Sequence, residues 1–96
     1  MRYAPAAMSP VKNASEIEAW LRREVSSLVG IPEDEVNINE EFASFGLGSV
    51  QSVTLAGELQ EFLGFRLSAT LVWDFPTVGS MAKHLAELSL ENEGQA

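Results

Sequence analysis

Apolar residues recur at helical spacing in the first ordered stretch of the chain. This spacing predicts a helix from about Glu16 to Val29. Ser15, with Glu18 three residues later, has the pattern of a capping box at the start of this helix. Gly30 is expected to end it. The apolar positions assigned to its core face are Ile17, Trp20, Leu21, Val25, Leu28 and Val29.

Two later stretches show the same helical periodicity. A second helix is predicted from about Ser49 to Leu63, and Gly64 follows it. A last helix is predicted from about Val78 to Leu90, with Thr77 as its cap. The core-facing positions are Leu55, Ala56, Leu59, Phe62 and Leu63 in the second helix, and Val78, Met81, Ala82, Leu85 and Leu88 in the last.

The segments between these helices contain shorter elements. Residues 32–35 are expected to form one helical turn, and a short helix is predicted over about Ala69 to Trp73, capped by Ser68 and broken at residues 74–76. The long connection from residue 31 to residue 48 carries apolar side chains that should pack onto the helices, namely Ile38, Phe42, Phe45 and Leu47. No alternation typical of strands is present. The pattern predicts a small all-α four-helix bundle with three longer helices and one short third helix.

The ends of the chain lack periodicity. Residues 1–13 are interpreted as a flexible leader and residues 91–96 as a flexible tail. Ninety-six residues provide for one small domain. No apolar run reaches membrane-spanning length and no signal-peptide core is present, so no membrane association and a cytoplasmic location are expected.

Composition narrows the chemistry that this chain can perform. It has no cysteine, which excludes disulfides, a thiolate nucleophile and a thiolate metal site. Its single histidine, His84, cannot form a metal cluster alone and has no evident nucleophile to activate. His84 is therefore interpreted as a surface or groove-lining residue, and the protein is not expected to be an enzyme.

The net charge of −8 is concentrated in one part of the chain. No Lys or Arg occurs between Arg23 and Arg66, whereas eight acidic residues do, and the six remaining acids balance the six basic residues. Nucleic-acid binding is disfavoured because the phosphates would be repelled. A basic protein partner is favoured. The alternative is an acidic face that only improves solubility.

Ser49 is the candidate functional residue. It stands at the start of the second helix after a turn of small residues, where unpaired backbone N–H groups favour a phosphate. The alternative is that Ser49 only caps the helix, and the local pattern alone favours that reading. The core-facing positions of the second helix form one arc around its axis, the core arc. On the opposite side lies a stripe that is a candidate contact surface or an ordinary exposed face, formed by Val50, Thr54, Gly57 and Glu61.

Two motifs give the chain a resemblance to the acyl carrier proteins, the phosphopantetheine-binding carrier domains of fatty acid, polyketide and peptide synthases. Residues 45–50, FGLGSV, resemble the family's G-x-D-S-[LV] attachment motif. Residues 67–78, LSATLVWDFPTV, resemble its short third helix and the acidic-aromatic-Pro-Thr turn. This turn points to the polyketide and nonribosomal peptide branch. The resemblance covers about residues 15–90, so residues 14–90 are assigned to one acyl carrier domain.

The resemblance implies a function without catalysis. Ser49 would receive 4′-phosphopantetheine from coenzyme A through a separate phosphopantetheinyl transferase, and the terminal thiol would hold acyl groups as thioesters. Val50, Thr54, Gly57 and Glu61 would meet partners such as a ketosynthase or an acyl-loading enzyme, with the carrier itself a monomer. One departure is Gly48, where the family usually has Asp, which puts the efficiency of modification in question. The alternative function is a carrier-like bundle that only binds a protein partner, with Ser49 unmodified.

A further resemblance concerns the loading partner. Residues 52–59, SVTLAGEL, and 67–71, LSATL, are similar to carriers that are paired with fatty acyl-AMP ligases. This pairing would start a lipid-tailed polyketide or lipopeptide. The rival is an extension-module carrier that an acyltransferase charges with malonyl units.

Overall fold

The computed structural model describes residues 12–68 and 70–95, with side-chain detail through residue 91. Its four α-helices are α1 (Ala14–Val29), α2 (Ser49–Leu63), α3 (Leu71–Asp74) and α4 (Val78–Gln95), and two short 3-10 turns cover Glu33–Glu35 and Phe42–Phe45. Within the described ranges the only extended pairing is an isolated bridge between Glu41 and Thr77. The predicted all-α bundle is confirmed.

Helix α1 begins earlier than predicted, because Asn13 rather than Ser15 is its cap. The Asn13 Oδ1 atom accepts from the Glu16 N–H at 2.8 Å, and Glu16 Oε1 accepts from the Asn13 N–H at 3.1 Å. The predicted start at Glu16 is therefore wrong. Asn is as good a cap as Ser and also has a Glu three residues later, so the helix can begin at Ala14 instead of Glu16. The predicted end at Gly30, with φ 78°, is confirmed.

Helix α2 spans Ser49–Leu63 as predicted and ends at Gly64, which has φ 86°. Leu55, Leu59 and Leu63 are buried, whereas the predicted core residues Ala56 and Phe62 are only partly buried. The cap of this helix is Gly48, so Ser49 is its first helical residue. This corrects the alternative reading of Ser49 as the cap.

The long connection between α1 and α2 is held against the bundle, as predicted. Phe42 and Leu47 are buried, and Ile38 and Phe45 pack partly buried against the same core. Two backbone hydrogen bonds tie the connection to the start of α4: Phe42 N–H donates to the Pro76 carbonyl and Gly79 N–H to the Ile38 carbonyl, both at 2.8 Å. The backbone before Ser49 is therefore fixed.

Helix α3 is shorter than predicted and is shifted along the chain. It spans Leu71–Asp74, so Asp74 lies inside the helix rather than breaking it, and Ala69 lies outside the described residues. The Ser68 Oγ accepts from the Thr70 N–H at 3.1 Å and closes a turn instead of capping the helix. Thr70 Oγ1 donates to the Asp74 carboxylate at 2.9 Å, which draws Asp74 into the helical turn.

Helix α4 begins as predicted and continues past its predicted end. The Thr77 Oγ1 accepts from the Ser80 N–H at 3.1 Å, which confirms Thr77 as the cap. The inward face is also confirmed, since Val78, Met81, Ala82 and Leu85 are buried and Leu88 is partly buried.

The helix runs to Gln95 because nothing in the sequence stops it at Leu90. The segment interpreted as a tail is thus helical through residue 95, and residues 1–11 of the predicted leader lie outside the described residues.

Candidate functional site

Ser49 occupies the exposed first position of α2. Within the described residues its hydroxyl makes no hydrogen bond, so capping does not occupy it. Ser52, one turn further along the helix, is only 8% exposed and faces the interior. Of these two serines, only Ser49 presents its hydroxyl to an incoming reagent.

The backbone around Ser49 is suited to an attached anion. Ser52 N–H is the first in α2 to bond within the helix, donating to the Gly48 carbonyl at 2.9 Å. The N–H groups of Ser49, Val50 and Gln51 precede it and have no carbonyl one turn earlier within the helix. These donors and the helix dipole favour a phosphate on the Ser49 hydroxyl.

At the start of α2, Gly48 makes only one of the two hydrogen bonds of a capping box. Its N–H donates to Gln51 Oε1 at 2.7 Å, but it has no side chain that could accept from the Gln51 N–H in return. An Asp at this position would take that N–H and add a negative charge. Glycine leaves the donor free and keeps the surroundings of Ser49 less acidic.

The predicted contact stripe lies on the solvent side of α2. Val50 is 80% exposed, and Thr54, Gly57 and Glu61 are all exposed. Thr54 Oγ1 donates back to the Val50 carbonyl at 3.1 Å, which leaves its methyl group free for contact. The structure therefore places all four residues where a partner could reach them.

Two exposed apolar side chains, one on α2 and one on α3, were missed from the sequence. Val53 is 71% exposed and Trp73 is 68% exposed. Trp73 borders an apolar pocket of about 120 Å³ between the long connection, α2 and α3, which Phe42, Leu47 and Val72 also line. Because α3 has only four residues, no periodicity could indicate which of its side chains face outward.

An acidic cleft separates α1 from α2 on the other flank. Trp20 and Phe62 stack there with ring centroids 4.8 Å apart, next to Glu24, Glu58 and Glu61. A hydrogen bond that the Glu24 carboxyl donates to Glu58, helped by partial burial and by the Glu58 charge, raises the pKa of Glu24 to about 7, against the opposing charge of Arg23. One proton is thus shared between α1 and α2 near neutral pH.

Other functional sites find little support in the described part of the chain. No group of three or more His, Asp or Glu side chains is placed there to hold a metal ion. No described helix has both the length and the apolar character needed to cross a membrane. His84 stacks on Phe75 with ring centroids 3.9 Å apart, in keeping with its interpretation as a groove-lining residue.

Comparison with known proteins identifies the family. Residues 19–85 match the phosphopantetheine attachment site family. A phenolphthiocerol/phthiocerol polyketide synthase from Mycobacterium tuberculosis is 36% identical over 80 residues, which is 83% of this chain and 4% of that protein. The pikromycin polyketide synthase component PikAII of Streptomyces venezuelae is 34% identical over 83 residues, 85% of this chain and 2% of that protein. The chain therefore spans only a small part of these relatives.

Solved structures of carrier proteins share the fold. A free-standing peptidyl carrier protein from a secondary metabolic pathway of Acinetobacter baumannii has a TM-score of 0.76 and 25% identity, covering 79% of this chain and 95% of that one. An acyl carrier protein from Anabaena sp. PCC 7120, with a variant phosphopantetheinylation-site sequence, has a TM-score of 0.75 and 27% identity, covering 93% and 94%. The chain belongs to the phosphopantetheine attachment site family, the carrier domains of polyketide synthases and secondary-metabolite pathways that bear a covalent phosphopantetheine.

Proposed function

We propose that Ser49 is the residue that carries 4′-phosphopantetheine, and that this chain holds acyl intermediates as thioesters in polyketide or lipopeptide biosynthesis. The observation that carries this assignment is the free, exposed hydroxyl of Ser49 at the first position of α2, within the region that matches the family. Ser52 is the nearest alternative serine in α2, and it is buried.

The attachment reaction suits this geometry. The Ser49 oxygen bonds to the phosphorus that bears pantetheine in coenzyme A, and the hydroxyl proton passes to a base of the transferase. The bond from this phosphorus to the bridging oxygen breaks, and adenosine 3′,5′-bisphosphate leaves. The N–H groups at the start of α2 stabilise the resulting phosphodiester. The arm supplies a thiol, which this cysteine-free chain does not have. In this proposal partner enzymes perform the later steps, in keeping with a carrier family that is not itself catalytic.

Gly48 is compatible with this role. It supports the start of α2 without a side chain, and its N–H is already satisfied by Gln51. The Anabaena acyl carrier protein of the same fold also has a variant phosphopantetheinylation-site sequence. Variation at this site is therefore consistent with a carrier role.

The proposed partners are a phosphopantetheinyl transferase, an acyl-loading enzyme and synthase domains such as a ketosynthase. The exposed stripe formed by Val50, Thr54, Gly57 and Glu61 would meet the acyl-loading enzyme and the synthase domains, with the carrier as a monomer. We also propose a cytoplasmic location for this reaction. The similarity of residues 52–59 and 67–71 to carriers loaded by fatty acyl-AMP ligases supports a ligase as the loading enzyme.

The attachment test is an intact-mass measurement. The protein is incubated with coenzyme A and a broad-specificity phosphopantetheinyl transferase, next to Ser49→Ala and the matched control Ser52→Ala. We expect the wild type and Ser52→Ala to gain the mass of one arm and Ser49→Ala to gain none. An unmodified wild type would instead support a bundle that only binds protein partners.

The loading test uses the modified protein in two parallel reactions. One contains a fatty acyl-AMP ligase, ATP and a medium-chain acid, and the other contains a malonyl-specific acyltransferase and malonyl-coenzyme A. We expect fatty acyl loading in the first reaction. Malonyl loading with no fatty acyl loading by several ligases would assign the chain to extension modules instead.

A further inference from the structure

A groove of about 320 Å³ lies between α2 and the segment that follows it. The Gln60 Oε1 accepts from the Leu67 N–H at 2.9 Å, which holds this segment in place as one wall. The groove is lined by Val53, Ala56, Gly57, Gln60, Arg66 and Leu67. The groove therefore has one wall on α2 and the other on the segment after Gly64.

This groove shares a helix face with Ser49. At about 100° per residue, Val53, Ala56 and Gln60 lie within about 40° of Ser49 around the helix axis, and Val53 is one turn away. The stripe predicted from the sequence lies further around the helix, at about 80° to 140°. Gly57 belongs to both surfaces. A protein seated in the groove would thus extend directly toward the Ser49 hydroxyl.

Gly57 lines the groove, and neither its backbone conformation nor the space around it requires a glycine. Its φ is not in the left-handed region, and a Cβ atom built on it would meet nothing within 4 Å. Glycine is a poor residue for the interior of a helix, so alanine would suit the isolated chain better. Because glycine has no side chain, the backbone of a partner protein can approach α2 closely at this position.

Arg66 gives the groove its charge. Its side chain is exposed, and no ion pair involving it is found within the described ranges. It is the first basic residue after Arg23, and eight acidic residues lie between them in the sequence. The groove is thus a local positive site on an acidic segment, and a carboxylate is the complementary group.

We propose that this groove receives an apolar segment of the enzyme that modifies Ser49, with one carboxylate of that enzyme facing Arg66. Val53 and Leu67 contact the apolar part of the segment, and Gly57 allows its backbone to approach α2. Arg66 fixes the register of docking, because a uniformly basic partner surface would be repelled at this one point. The inference rests on the proposed modification of Ser49.

The experiment is steady-state kinetics of arm attachment to the unmodified protein by a broad-specificity phosphopantetheinyl transferase. Two variants alter the groove: Gly57→Leu fills part of it and Arg66→Glu reverses its charge. Two matched controls make the same changes at exposed positions on other helices, Ala19→Leu on α1 and Lys83→Glu on α4. We expect the KM for the groove variants to rise about tenfold with little change in kcat, and the KM of the controls to stay within twofold of the wild type.

The outcomes separate this inference from the proposed function. A wild type that gains no arm contradicts the modification of Ser49 and the groove assignment with it. A modified wild type with unchanged KM for both groove variants overturns the groove alone. If attachment is unaffected but later acyl loading falls, the occupant is the loading enzyme or the chain's own arm, and if Gly57→Leu disrupts a dimer in sedimentation, it is a second copy. Either result also overturns the proposal. Urea unfolding of Gly57→Leu should show stability at least equal to that of the wild type, which excludes misfolding as the cause.

Discussion

The carboxyl pair between α1 and α2 predicts that the stability of this protein falls as the pH rises through neutrality. Glu58 raises the pKa of Glu24 from an ordinary 4.5 to about 7 in the folded state. The folded protein therefore binds more protons than the unfolded chain between these two values. The pair's contribution is complete below about pH 4.5 and is lost as the pH passes 7, because stability decreases with pH wherever the native state holds the extra proton.

The magnitude follows from the difference between the two pKa values. At about 1.4 kcal/mol per pKa unit, a rise from 4.5 to about 7 sets a ceiling of roughly 3 kcal/mol. Glu58 is exposed and Glu24 only partly buried, so water screens their interaction. About 1 kcal/mol is the expected loss after this discount.

The assay is urea unfolding from pH 5 to pH 8.5 for the wild type, Glu58→Gln and the control Glu87→Gln, which removes one exposed acid from α4. Glu58→Gln keeps a hydrogen-bonding side chain but removes the charge.

We expect the free energy of unfolding of Glu58→Gln to stay nearly constant over this pH range. At pH 8 it should be about 1 kcal/mol higher than that of the wild type. Glu87→Gln should follow the wild-type slope. Parallel curves for the wild type and Glu58→Gln would refute the shared proton, and a flat curve for Glu87→Gln would attribute the slope to net charge.

Three further substitutions test the site and its support. Ser49→Ala should abolish arm attachment in intact-mass spectra and change the unfolding free energy by less than about 0.5 kcal/mol, because Ser49 is not the helix cap. Gly48→Asp should add a few tenths of a kcal/mol in urea unfolding and speed attachment by the transferase in a timed mass assay, since Asp accepts from the Gln51 N–H. Phe42→Ala should cost about 3–5 kcal/mol in the same unfolding assay, because Phe42 is buried and anchors the connection before Ser49.

Helix ends marked by glycine could be predicted from the sequence, whereas the cap of α1 could not. Gly30 and Gly64 both have positive φ, a conformation that glycine adopts without strain, so the sequence signal and the structural need coincide. At the start of α1, Asn13 and Ser15 both carry a Glu three residues later. Local chemistry does not distinguish two such caps, and the choice depends on how far the helix can extend toward α4, where Lys12 N–H donates to Ser89 Oγ at 3.0 Å.

The candidate site was predictable where it depended on helix periodicity and unpredictable where it depended on contacts between elements. The burial of Ser52 follows from the position of α2's core arc, and the exposure of Ser49 follows from its place as the first residue of the helix. The outward side chain of Trp73 and the Glu24–Glu58 hydrogen bond do not follow from any local pattern. Each is fixed only when α2 packs against another helix.

The groove on α2 could not be predicted from the sequence by excluding the core-facing positions of this helix. Opposite the core arc, the sequence indicates an exposed stripe, and every member of that stripe is indeed exposed. An enzyme acting at Ser49, however, needs a surface on the same side of the helix as that hydroxyl. The segment after Gly64 folds back along this side and adds Arg66 and Leu67 beside Val53. A partly buried flank of α2 thereby becomes a charged recess one turn from Ser49.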